Sequence, residues 1–180
     1  IVASPGLRFD GGIVSLRGSA RHGGADAVVD LGFAATRDVG AVRLDAGVTG
    51  HVFASGQGRL DFLELTAGAG TLVGPVGIDL TARYAPDQAA IGGDNLHLGL
   101  RGEAALIGTP VTVNASVGRS LGSVNAPLRA ARLRPGGSYT DWSLGADHVA
   151  GPLTIGIAYV GNDARAPGAR SAGSGDTVLA

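Results

Sequence analysis

Between Val42 and Phe53 apolar and polar residues take turns. One set reads Val42, Leu44, Ala46, Val48, Gly50, Val52, and the other reads Arg43, Asp45, Gly47, Thr49, His51, Phe53. Strict alternation of this kind marks a β-strand with two different faces. It recurs in Val76 to Tyr84, where Val76, Ile78, Leu80, Ala82 and Tyr84 oppose Gly77, Asp79, Thr81 and Arg83. Leu96, Leu98, Leu100, Ala104 and Leu106 oppose His97, Gly99, Arg101 and Glu103, and Leu153, Ile155, Ile157 and Tyr159 oppose Thr154, Gly156 and Ala158. The same reading predicts strands near 2–10, 13–21, 27–36, 60–73, 111–120 and 138–149, with an eleventh beginning near Asp176. Charged residues fall opposite the aliphatic ones: Arg8, Asp10, Arg17, Arg21, Asp30, Glu64, Asp141 and Asp147 all obey, and Arg119 is the main exception.

Connection lengths separate a membrane barrel from a soluble sandwich, which also alternates. The links near 11–12, 37–40, 74–75, 107–110 and 150–151 are tight and rich in Gly or Pro. Those near 22–25, 54–59, 85–93, 121–137 and 161–175 are mostly longer, and the two kinds alternate without a break. Short turns at one end and longer loops at the other characterise outer-membrane barrels, whose strand number is even. The expected fold is therefore all-β, an antiparallel up-and-down transmembrane barrel filling residues 1–180 as a single domain. About eleven strands would be present of twelve, with one strand before Ile1 and the end of the last one missing.

Composition supports this class. The chain is 44% hydrophobic and 16% charged, too apolar for disorder. Yet no run approaches the roughly 18 apolar residues of a membrane helix. With 32 glycines and no collagen-like period, the composition argues against an all-helical fold. There is no cysteine, hence no disulfide, thiolate metal site or Cys nucleophile. All fourteen basic residues are arginine, a composition bias, and a net charge of −1 argues against a broad nucleic-acid surface.

Each face then has an expected role. Val42, Leu44, Ile78, Leu80, Leu98, Leu100, Leu144, Ile155 and Ile157 would meet lipid, with Tyr84, Trp142 and Tyr159 at the membrane interfaces. Arg17, Asp30, Arg43, Asp45, Glu64, Asp79, Arg83, His97, Arg101, Glu103 and Asp147 would line the interior among small residues such as Gly32, Gly47, Gly99 and Ser116. No catalytic, cofactor-binding or metal constellation emerges. His22, His51, His97 and His148 lack metal-ligand spacing, and a zinc site through His51 and His97 would need a carboxylate brought in by the fold. Gly68-Ala69-Gly70 lacks the lysine of a phosphate loop, and Asp147 and His148, as strand neighbours, point to opposite faces. Arg129, Arg132 and Arg134 sit in a long loop without an acid from Gly122 to Tyr139. They would touch anionic lipopolysaccharide, fold inward as an anion-attracting constriction, or remain a solvated mobile loop.

The stretch Tyr139-Thr140-Asp141-Trp142-Ser143-Leu144-Gly145, followed by Gly151-Pro152-Leu153-Thr154-Ile155-Gly156-Ile157-Ala158-Tyr159-Val160, resembles the TorF family of putative porins. Phe62-Leu63-Glu64-Leu65 and Ala82-Arg83-Tyr84-Ala85-Pro86-Asp87 are similar to that family's Glu-bearing strand and its Tyr-Ser-Pro-Asp turn. The resemblance implies a porin-like barrel in the bacterial outer membrane, without enzymatic activity or cofactor. The expected partners are membrane lipid and small polar solutes or ions. A structural or autotransporter-type translocation barrel without general pore activity is the alternative.

Overall fold

The computed structural model describes residues 7–18, 27–54, 60–164 and 177–179, and only the backbone of 7–18, 178 and 179. Alternating sequences become strands throughout: β1 (Leu7–Gly18), β2 (Ala27–Val39), β3 (Val42–Ala54), β4 (Phe62–Val73), β5 (Val76–Gln88), β6 (Gly93–Ala105), β7 (Val111–Leu121), β8 (Tyr139–Ala150), β9 (Leu153–Asn162) and β10 (Thr177–Leu179). One short helix, α1 (Pro127–Ala130), lies between β7 and β8. Each strand pairs antiparallel with its chain neighbours, giving a ten-stranded sheet in the order β1 to β10 among the described residues. The all-β, antiparallel, up-and-down expectation therefore holds. No hydrogen-bonded pairing joins β1 to β10 among the described residues.

The strand count is corrected from eleven to ten within the described residues. Gly11 and Gly12, read as a turn, lie inside β1 opposite Phe33 and Gly32, and pairing to β2 runs on to Gly18 past a bulge between Ile13 and Ser15. The described parts of the segments expected at 2–10 and 13–21 are thus one strand over 7–18, residues 2–6 and 19–21 lying outside the described residues, and the argument for a twelfth strand loses its premise. Elsewhere boundaries shift by a few residues in either direction. β5 continues through an irregularity between Ala85 and Gln88, so the link expected at 85–93 shrinks to 89–92.

Four connections share one end of the sheet: 40–41, 74–75, 106–110 and 151–152. Gly40, Gly74 and Gly151 take φ near 62°, 61° and 61°. Gly at the first central position followed by a residue of negative φ, which Pro75 and Pro152 enforce, is the signature of the hairpin turn that matches strand twist. The links β3–β4, β5–β6, β7–β8 and β9–β10 lie at the other end.

The sheet is amphipathic with an unusual sense. Leu80 is 56% exposed, Leu144 61%, Ile155 59% and Ile157 57%, whereas Asp30 is 6% exposed and Ser120 2%. Side chains also converge on the polar face. A Cβ added to Gly118 would lie 2.6 Å from His97 and 2.7 Å from Asp141. On the apolar face, a Cβ on Gly102 or Gly50 would meet nothing nearer than 4.0 Å and 3.9 Å respectively. Crowding on one face and splaying on the other is the geometry of a sheet that curls with its polar face inside. The buried side chains (Val28, Ala85, Ala90, Ile91, Asn95, Ala130, Arg134 and Ala164) gather at the long-link end, where the β7–β8 segment packs.

Candidate functional site

The polar face is the candidate site. Register, rather than proximity in sequence, sets its contacts. Asp30 and His51 are directly opposed on β2 and β3, and His51 Nδ1 lies 2.7 Å from the Asp30 carboxylate. Arg43 on β3 and Asp79 on β5 are two strands apart, with Gly70 of β4 paired to both. A side chain at Gly70 would fill the gap that Arg43 Nη2 crosses to reach Asp79 at 3.1 Å. On the next strands Arg101 lies 3.8 Å from Glu103, Asn114 donates to Asp147 at 3.0 Å, and Ser116 and Ser143 share a hydrogen bond of 2.7 Å. His97 contacts Ser120 at 3.0 Å and lies 3.8 Å from Asp141.

The expected interior residues Asp30, Arg43, Asp45, Glu64, Asp79, Arg83, His97, Arg101, Glu103 and Asp147 all occupy this face. Of Arg17 only the backbone is described, opposite Val28. Leu44, Ile78, Leu80, Leu98, Leu100, Leu144, Ile155 and Ile157 lie on the other face and are exposed. Tyr84 and Tyr159 share that face at 39% and 41% exposure, and Trp142 joins it opposite Val117. His51 and His97 each have their own partner, and no group of three potential metal ligands occurs among the described residues. Beside Asp30, His51 stacks on Phe62 at 4.3 Å, and its Nε2 is buried without a hydrogen-bond partner.

Two ends of this face differ. Near the short turns it is wet: the side chains of Arg43, Arg101 and Glu103 are 58%, 55% and 47% exposed. A cavity of about 550 Å³ opens there, bordered by Asp38, Arg43, Asp79 and Glu103. At the opposite end the β7–β8 segment folds over the polar face. Pro127 starts α1, and the turn that follows closes on Ala130 through the Arg134 amide.

The three arginines of this segment hold it in place. Arg129 donates to the Ala89 carbonyl at 2.7 Å. Arg134, 3% exposed, donates to the carbonyls of Gly122, Asp94 and Ser123. Arg132 donates to Leu60 and Ala90 carbonyls, and its guanidinium sits 4.8 Å above the Phe53 ring and 5.9 Å from Phe62. Burial pushes the Arg132 guanidinium below its ordinary pKa, and Asp61 opposes the shift. The segment lies over the polar face, and all three guanidinium groups meet backbone carbonyls there. The sequence reading missed Phe53 and Phe62, which sit on the polar face and receive Arg132; aromatics at polar positions were the available signal.

Neither characterised proteins nor solved structures yield a match to this chain. A family described as a bacterial protein of unknown function (Gcw_chp) matches residues 14–178, nearly the whole sheet, and the chain belongs to that family.

Proposed function

We propose that the chain is a porin-like protein of the bacterial outer membrane. Its sheet closes into a barrel around a narrow, water-containing lumen that passes ions or small polar solutes. The observation that carries this reading is the inverted amphipathicity. Large aliphatic residues are exposed along whole strands, while Asp, His, Ser and Asn side chains turn to the crowded face. Soluble monomers rarely expose contiguous apolar surface on this scale. Membrane barrels require it, since lipid meets the outside and water the inside. The resemblance to TorF porins points the same way. Charges of both signs alternate along the interior, so selectivity between cations and anions is expected to be weak.

A structural or translocation barrel is the second reading, favoured by the arginine-pinned segment that narrows the long-link end. Planar-bilayer recording with the full-length protein separates the two. Stepwise, protein-dependent conductance supports the pore. Its absence, with folding established independently by circular dichroism, overturns it.

A further inference from the structure

Arg119 breaks the sorting of residues between faces. It is the only arginine on the apolar face from β3 to β9 among the described residues, and it is exposed. Its Nη1 donates to Thr140 Oγ1 at 2.8 Å, and the guanidinium has no other partner among the described residues. Below it the apolar face carries a groove of about 660 Å³. Its floor is Ala67, Ala69 and Ala82, and Leu80, Leu98 and Val117 form its walls. Small residues on two rows of an otherwise leucine-rich face leave this space open, with one cation at its rim.

The surroundings fix the depth. Tyr84 is opposite Leu96, and Leu96 is opposite Leu121. Arg119 lies two residues below that row on β7, Trp142 four below on β8, and Tyr159 six below on β9. With about 3.3 Å per residue and about 4.8 Å per strand, this line departs from the rows by roughly 35–45°. That is the tilt of strands in membrane barrels, so the three aromatics and Arg119 share one level when the strands lean by that angle. Aromatic side chains collect at headgroup depth. An arginine there, with planar donors still free, matches a phosphate rather than hydrocarbon.

We infer that Arg119, Thr140 and the adjacent groove form a binding site for an anionic phospholipid. The phosphate is held by the guanidinium, and one acyl chain lies along Ala82, Ala67 and Ala69. The inference rests on the membrane reading, and one experiment distinguishes failure of either. Trp142, the single tryptophan of these residues, is a diagonal neighbour of Arg119 and reports on the site. The full-length protein is inserted into phosphatidylcholine vesicles, with any further tryptophan replaced by phenylalanine. Trp142 fluorescence is then quenched by phosphatidylcholine or phosphatidylglycerol brominated in the acyl chains.

Quenching by brominated phosphatidylcholine tests the membrane reading alone, and its absence overturns that reading. The site requires brominated phosphatidylglycerol to be enriched at Trp142 by about fivefold over its bulk fraction, the effect of one arginine on one anionic lipid. Arg119→Gln abolishes the enrichment, and Ala82→Leu, which fills the groove, reduces it while phosphatidylcholine quenching persists. Equal quenching by both lipids, or enrichment unchanged in Arg119→Gln, overturns the site. Loss of enrichment in excess inorganic phosphate at constant ionic strength assigns the site to a free anion and overturns the lipid.

Discussion

The smallest residue in the chain has the sharpest positional meaning. Gly118 pairs with Gly99 on one side and Asp141 on the other, and the His97 ring and Asp141 carboxylate crowd the space above it. His97 is also tied to buried Ser120, so it has little freedom to retreat. Gly118→Ala is therefore expected to destabilise by about 1–3 kcal/mol through overpacking. Gly102→Ala, on the splayed face with its nearest contact at 4.0 Å, should be neutral or stabilise by up to about 1 kcal/mol from reduced backbone entropy. Opposite signs in urea unfolding midpoints check the assignment of faces without reference to lipid. Lipid enters with Leu100→Arg. On the exposed apolar face near mid-strand, it should cost about 2–4 kcal/mol of folding free energy in vesicles. Gly99→Arg, one residue away on the wet face, should cost less, its nearest obstacle being the Thr81 hydroxyl at 3.0 Å. Equal costs would mean that the exposed leucines do not meet hydrocarbon.

Among the elements, the β7–β8 segment is the one whose position sequence did not decide. Its arginines were visible, but their partners lie far along the chain: Leu60 is 72 residues from Arg132 and Ala90 is 42. Only curvature of the sheet brings β3, β4 and the β5–β6 turn under one loop, and curvature has no local signature. The strands were legible because period-2 alternation is local, and so was the assignment of charges to one face. Gly11-Gly12 misled for the same reason that alternation worked. A glycine pair supplies a turn or a slack stretch of strand equally well, and the pairing with Phe33 and Gly32 decided between them. The segment's anchoring gives a prediction. Arg132→Ala removes a stacked cation worth about 0.5–2 kcal/mol and leaves the Leu60 and Ala90 carbonyls without that donor. Residues 122–138 should be cleaved faster by trypsin or another protease in limited digestion, and any conductance should rise as the inward fold loosens. Arg132→Lys should not restore protection, since a point charge cannot stack on Phe53 and donate to two carbonyls together. Unchanged cleavage would show that Arg129 and Arg134 suffice to hold the segment.

For the whole molecule the decisive question is whether the two edges meet. β1 runs toward the long-link end, and each following strand reverses, so with ten strands β10 runs the other way. The two edge strands are therefore antiparallel, the relation that closure of an up-and-down sheet demands. An odd count would have made them parallel. An open sheet leaves two rows of unpaired N–H and C=O groups, each costing several kcal/mol in hydrocarbon where no water can reach them. Closure removes both rows at once, which is why barrels span membranes and open sheets do not. The chain has no cysteine, so introduced pairs report without interference. Single cysteines placed in turn from Leu7 to Gly18 are combined with one at Val178, and the protein is oxidised after insertion into vesicles. Ser143→Cys with Val160→Cys, directly opposed on β8 and β9, serves as the positive control. Closure by β1 and β10 predicts efficient cross-linking at one β1 position, weaker reaction two residues either side, and none at the far end. Cross-linking of the control pair without any β1–β10 partner would mean that further strands intervene or that the sheet stays open. Closure by ten strands would fix the width of the proposed lumen, and with it the size of solute that the charge-balanced face could admit.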